Sequence, residues 1–273
     1  MRNIIGRSNE GRELVLHANF PLRGGFDSAM ARKSTLLIGG THGDERATVD
    51  ILENYTAERL AAGGIVEPVA VLSLHNPDGY AAGTRYNGRG VDLNRNFSHN
   101  WSPDSEEPPG PMPLSEPENQ ALHAFILSHR PAKIVSLHWA LAELDADGPQ
   151  STALAEAMWA ALGDQERKPY RLRVHRPETP ARGFCPGSLG QWCGNGLAYP
   201  DGIRPAMVTL ELPYHPQREE RPDPLPGDHL ERVREIWRLR PVDYLSGVQE
   251  PVYRMLDAAC RLEHVWPPRP EAG

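Results

Sequence analysis

With 273 residues, 39% apolar and 24% charged, the chain can bury one large α/β core or two small ones, and its composition suits a soluble globular protein. A formal net charge of -7 gives little electrostatic support for nonspecific binding to nucleic acid or membrane surfaces. No stretch approaches the roughly 18 consecutive apolar residues of a spanning helix, so no membrane segment is expected.

The opening residues carry charge and no long apolar run, so no secretory segment is expected. Cys185, Cys193 and Cys260 are odd in number and lack a framework spacing. Reduced thiols in a cytoplasm are the expected state, with a Cys185–Cys193 pair or metal site as the alternative.

In chain order, Ser8-Asn9-Glu10-Gly11 reads as a turn between two short strands. Residues 34–39 (STLLIG) form a buried-strand candidate that runs into a helix over about 44–62, with Ala47, Ile51 and Tyr55 on one side. A strand within 65–74 begins pairing near Val69, after Pro68, and Asn76-Pro77-Asp78-Gly79 predicts a turn. Residues 98–113, with five prolines, predict a long loop. Ser115 and Glu118 have capping-box spacing before a helix that carries Leu122, Phe125 and Ile126. Residues 134–138 form a second buried-strand candidate, residues 151–163 an Ala-rich helix, and residues 177–202 an irregular Gly/Pro-rich region. A strand over 206–212 (AMVTLEL) precedes a helical C-terminal region interrupted at Pro241 and Pro251. Strand and helix signals alternate without a linker, so a single domain over 1–273 of α/β class is expected.

The chemistry gathers at strand ends. His42 and Glu45 follow the strand at 34–39, His138 ends the strand at 134–138, and Glu211 lies inside the apolar run 206–212. Imidazoles and carboxylates are costly to bury without partners, and ligands of open α/β sheets bind at the carboxyl ends of strands. Two His and one Glu are a known catalytic Zn²⁺ ligand set that leaves one position open, and a further carboxylate can serve as proton acceptor and donor. A lone His-x-x-Glu is common by chance, His138 alone suits a hydrogen-bonded core histidine, and His75 also follows a strand and competes as third ligand. The joint pattern favours His42, Glu45 and His138 as ligands of one Zn²⁺, with Glu211 as base.

Five ordered motifs extend this reading. They are Gly40-Thr41-His42-Gly43-Asp44-Glu45, Asn76-Pro77-Asp78-Gly79, Gly90-Val91-Asp92-Leu93-Asn94-Arg95-Asn96-Phe97, Ser136-Leu137-His138 and Thr209-Leu210-Glu211-Leu212-Pro213. Together they resemble the zinc metallocarboxypeptidase (M14) family. The resemblance implies a three-layer α/β/α domain with a mixed central β-sheet and one catalytic zinc. It implies His42, Glu45 and His138 as zinc ligands, Glu211 as general acid/base, and Asn94 and Arg95 as the clamp on a substrate's terminal carboxylate. Arg85 is implied as the oxyanion-stabilising arginine, against the alternative of a surface arginine before a turn.

The stretches Thr84–Gly90 and Pro186–Trp192 are similar to the murein peptide amidase branch. That similarity implies hydrolysis of the γ-D-glutamyl–meso-diaminopimelate bond of a murein tripeptide during cell-wall recycling. An N-acyl amino acid deacylase resembling succinylglutamate desuccinylase or aspartoacylase, and a general peptide carboxypeptidase, remain the alternatives. The partner implied is a small peptide with a free carboxylate, not a nucleic acid or a membrane. Trp139, after the third ligand, departs from the family pattern and either narrows the pocket or packs in the core. Tyr199 and Tyr214 are the candidates for the family's mobile tyrosine, without a matching motif at either.

Overall fold

The computed structural model describes residues 1–22, 33–139, 141–170, 172–176, 185–200, 202–213 and 241–263. Eight strands make one mixed sheet: β1 (Arg2–Arg7), β2 (Glu13–Ala18), β3 (Thr35–Ile38), β4 (Val69–Leu72), β5 (Lys133–His138), β6 (Glu143–Asp147), β7 (Arg173–His175) and β8 (Ala206–Glu211). Their order is β1-β2-β4-β3-β5-β8-β6-β7. The central strands β4, β3, β5 and β8 run parallel, β1 and β2 flank them as an antiparallel hairpin, and β6 returns antiparallel to β8.

The central strands are apolar on both faces because both faces are covered. Leu37, Val69, Val71, Val135, Leu137, Val208 and Leu210 enter one core with helices α1 (Arg46–Tyr55), α4 (Thr152–Ala160) and α7 (Pro241–Arg261). Leu36, Ile38, Ala70, Leu72, Ile134 and Met207 enter the other with α3 (Pro117–His129) and the segment around Trp192. Period-two alternation along each strand thus builds the three-layer α/β/α sandwich.

Several boundaries differ from the sequence expectation. Asn76-Pro77-Asp78-Gly79 starts a helix, α2 (Pro77–Ala82), rather than a turn. Asn76 caps it by accepting a hydrogen bond from Gly79 N at 2.9 Å, Pro77 occupies the first turn, and Gly83 ends it at φ 68°. The capping box at Ser115 does not form. Pro117 at the first helical position moves the cap to Glu116, and Glu118 instead accepts hydrogen bonds from Asn9 and Asn87.

The helix expected over 44–62 widens after Tyr55 into a π-helical turn, Thr56–Leu60. Pro251 does not interrupt α7, whose Val248, Val252, Tyr253, Met255, Leu256 and Ala259 are buried on the sheet. Packing there outweighs the hydrogen bond lost at proline. Within 177–202 the chain forms α6 (Leu189–Gln191) and a π-helical turn Trp192–Gly196. Strands β6 and β7 and helix α5 (Asp164–Tyr170) have no counterpart in the sequence reading. No helix among the described residues is long and apolar enough to cross a membrane.

Candidate metal centre

The parallel strands β3, β5 and β8 deliver their carboxyl ends to one edge. His138 ends β5 and lies in register with Glu211 at the end of β8. His42 and Glu45 sit on the β3–α1 connection, whose shape depends on a close backbone approach. A Cβ on Gly43 would stand 2.0 Å from the Gly79 carbonyl carbon, so only glycine lets the two connections touch. Thr48 fixes the helix entry by donating to Glu45 O at 2.7 Å while accepting from Gly40 N at 3.0 Å.

One donor atom from each of His42, Glu45 and His138 lies within 4.8 Å of the others, and the three residues are 3%, 4% and 3% exposed. His42 Nδ1 is 2.7 Å from Glu45 Oε1 and 3.3 Å from His138 Nδ1, and His138 Nδ1 is 3.2 Å from Glu45 Oε2. Two imidazole nitrogens facing each other beside a buried carboxylate fit a shared borderline cation such as Zn²⁺. His75 does not join them; its buried ring faces Thr41 Oγ1 at 3.3 Å.

Behind His42 stands Asp92, fully buried. Its Oδ1 is 3.2 Å from His42 Nε2, and its Oδ2 accepts from Arg85 Nε at 3.0 Å and Nη2 at 2.8 Å. Burial opposes its ionisation, but Arg85 and His42 hold its carboxyl well below the usual range. A carboxylate on the far nitrogen fixes the tautomer that leaves Nδ1 free for a metal. Burial and Arg85 disfavour charge on His42, yet the Glu45 and Asp92 carboxylates prevail and raise its pKa to about 9. For Glu45, burial acts upward and the two imidazoles pull its pKa down further, well below the usual range. The sequence reading gave Asp92 no role; its place directly before Leu93-Asn94-Arg95 was the available signal.

Arg85 is not a surface arginine. Its side chain is 11% exposed, its Nη1 is 3.3 Å from His42 Nδ1, and Glu107 from the 98–113 loop approaches within 3.8 Å. Asn94 accepts from Leu189 N at 3.0 Å through its carboxamide oxygen, which leaves its NH₂ group for another partner. Arg95 donates from Nη1 to Asn94 O at 2.8 Å and has no carboxylate partner among the described residues. Glu211 is partly exposed, one of its oxygens is buried without a partner, and desolvation with Glu45 and Glu143 pushes its pKa up to about 8.

Trp139 turns to the opposite face and packs on Tyr244 with ring centroids 4.9 Å apart, so it belongs to the core and does not narrow the cleft. Tyr199 is also a core residue: its hydroxyl donates to Pro131 O at 2.9 Å, beside the start of β5 and at the other end of the strand from His138. Tyr214 lies outside the described residues.

Residues 2–140 match the family model described as zinc carboxypeptidase. The chain belongs to the zinc carboxypeptidase family. Among curated relatives, the murein peptide amidase A of Escherichia coli (strain K12) is 36% identical over 201 residues, which cover 68% of this chain and 73% of the relative. That of Vibrio campbellii is 35% identical over 193 residues, or 65% of this chain and 68% of the relative. Among solved structures, the murein-tripeptide amidase MpaA of Escherichia coli O157 aligns over 88% of this chain and 92% of its own, with TM-score 0.53 and 27% identity. Bovine thrombin-activatable fibrinolysis inhibitor aligns over 95% of this chain and 88% of its own, with TM-score 0.68 at 18% identity, and supports the carboxypeptidase fold alone. Family membership makes the chain a zinc metallopeptidase or amidase, a hydrolase with the His42–Glu45–His138 group as its candidate metal site.

Proposed function

We propose that this chain, as one catalytic domain, hydrolyses the γ-D-glutamyl–meso-diaminopimelate bond of murein tripeptide, in cytoplasmic recycling of the cell wall. The observation that carries the reading is the convergence of His42, Glu45 and His138 beside Glu211, in a chain with curated murein peptide amidase relatives at 36% identity. His42, Glu45 and His138 would hold one Zn²⁺, which would supply Lewis acidity toward the scissile carbonyl and the attacking water.

The chain's own residues do the rest. Arg95, with the Asn94 NH₂ group, takes the free α-carboxylate of the residue to be released, for which a guanidinium fork is suited. Arg85 stands beside His42 and lends positive charge where the carbonyl oxygen becomes an oxyanion. Glu211 accepts a proton from the attacking water and returns it to the leaving amine. Asp92 positions both His42 and Arg85. The 98–113 loop walls the cleft, with Glu107 against Arg85 and Tyr86.

The test is zinc content measured together with release of diaminopimelate from L-Ala-γ-D-Glu-meso-diaminopimelate. One zinc per chain and stoichiometric release are expected, and His138→Ala lowers both. Cleavage of N-acyl amino acids or ordinary L-peptides in preference to the tripeptide overturns the substrate assignment. Unchanged zinc in His138→Ala moves the third ligand elsewhere.

A further inference from the structure

The loop over 98–113 holds five prolines, yet its 107–109 stretch is docked onto the site. Pro108 O accepts from Asp92 N at 2.8 Å. Pro109 O accepts from Asn96 Nδ2 at 2.7 Å and from Trp101 Nε1 at 3.1 Å. Glu107, just before them, accepts from the Tyr86 hydroxyl at 2.7 Å through Oε2 and brings Oε1 to 3.8 Å from Arg85 Nε. Tyr86 follows Arg85, whose backbone carbonyl accepts from Gly43 N at 3.4 Å and from Asn76 Nδ2 at 3.3 Å. The arm that carries Arg85 is therefore tied to the His42–Glu45 connection on one side and to the proline-rich loop on the other.

Arg85 stands where a cation is hard to keep. Its guanidinium is largely buried, 3.3 Å from His42 Nδ1 and beside a ligand set that suits a metal ion. Like charge repels it there, and a guanidinium so buried keeps its place only among compensating anions. Asp92 supplies the first anion through Oδ2 alone, because its Oδ1 is committed to His42 Nε2 and Asn94 N. Glu107 supplies the second, with a side chain only 17% exposed. Burial and the bond to Glu107 raise the Tyr86 phenol to about 12, so it stays a donor throughout the neutral range. One chain of contacts thus runs from the Tyr86 hydroxyl through the Glu107 carboxylate to Arg85.

We infer that Glu107, held by Tyr86, is a positioning residue that fixes the Arg85 guanidinium where the carbonyl oxygen gains charge. Docking of the proline-rich loop is then part of the reactive geometry and not only a wall of the cleft. The inference rests on the role proposed for Arg85 in the amidase reading and deepens it. Arg85 acts on the transition state, so its misplacement lowers kcat. A loop that merely walls the cleft acts on bound substrate and moves KM.

The test measures turnover of L-Ala-γ-D-Glu-meso-diaminopimelate by the zinc-loaded protein. Wild type is compared with Tyr86→Phe, Glu107→Gln, the two combined, Arg85→Ala, and Arg85→Ala with Glu107→Gln. Tyr86→Phe and Glu107→Gln each lower kcat by about 3- to 10-fold and leave KM within about twofold, as expected for a partly buried charge-assisted contact. The combined variant loses no more than Glu107→Gln alone, and Glu107→Gln costs nothing further once Arg85 is replaced by alanine. A second measurement needs no turnover. In ¹⁵N NMR of the metal-free protein, the Arg85 Nε–H resonance, identified by its absence from Arg85→Ala, shifts in both variants. Wild-type kcat in Glu107→Gln, a raised KM at unchanged kcat, or a loss that multiplies with that of Arg85→Ala overturns the inference and leaves the amidase reading intact. So does an Arg85 resonance unmoved in both variants. Wild-type kcat in Arg85→Ala overturns the oxyanion role and the inference with it, and absence of cleavage by the wild type overturns the amidase reading and the inference together.

Discussion

Asp92→Asn is the substitution whose consequence is worked most directly from the geometry. Asp92 accepts from Arg85 Nε and Nη2, from Asn94 N at 2.8 Å, and from His42 Nε2. A carboxamide keeps the volume but offers one acceptor oxygen, and its NH₂ group must face either Arg85 or His42. Facing Arg85 it opposes donor to donor and strips a guanidinium only 11% exposed of its charge partner, a loss of about 3 kcal/mol. Facing His42 it forces the proton onto Nδ1, the nitrogen aimed at Glu45 and His138, and weakens zinc affinity by about 10- to 100-fold. Urea unfolding of the metal-free variant reads the first effect, and competition for zinc against a chromophoric chelator reads the second. If the variant unfolds at the wild-type midpoint and binds zinc with wild-type affinity, the positioning role of Asp92 is wrong.

Three further outcomes are expected. Glu211→Gln retains one zinc per chain by elemental analysis and loses about 10²- to 10⁴-fold in turnover, so full activity excludes it as the base. Arg95→Ala raises KM by about 10- to 100-fold for substrates with a free terminal carboxylate and leaves amide-capped ones unaffected; equal losses on both contradict the clamp. Gly43→Ala places a Cβ against the Gly79 backbone and destabilises the fold by about 1–3 kcal/mol, read as a lower urea midpoint, and an unchanged midpoint disproves that close approach.

Much of the scaffold was legible in the sequence because it depends on local pattern. The runs at 34–39, 134–138 and 206–212 became β3, β5 and β8, and their hydrophobicity on both faces already implied a sheet covered on both sides. Strand β6 escaped because Glu-Leu-Asp-Ala-Asp lacks strand-forming residues; its signal was acidic–apolar alternation, which makes sense only when the acidic face lines a cleft. The turn residues at 76–79 and the spacing of Ser115 and Glu118 misled for the opposite reason. Asn, Pro and Ser serve turns and helix caps alike, and Pro117 and the partners Asn9 and Asn87 decided between them.

The sequence by itself determined the donor types, the short spacing of His42 and Glu45, and the strand-end positions of His138 and Glu211. Tertiary structure decided that Asp92 joins His42 to Arg85, that Trp139 faces away from His138, and that β6 brings Glu143 beside Glu211. The physical reason is range. Periodicity and capping act over a few residues, whereas the convergence of side chains depends on strand order and register, and a one-residue slip of β6 would turn its carboxylates into the core.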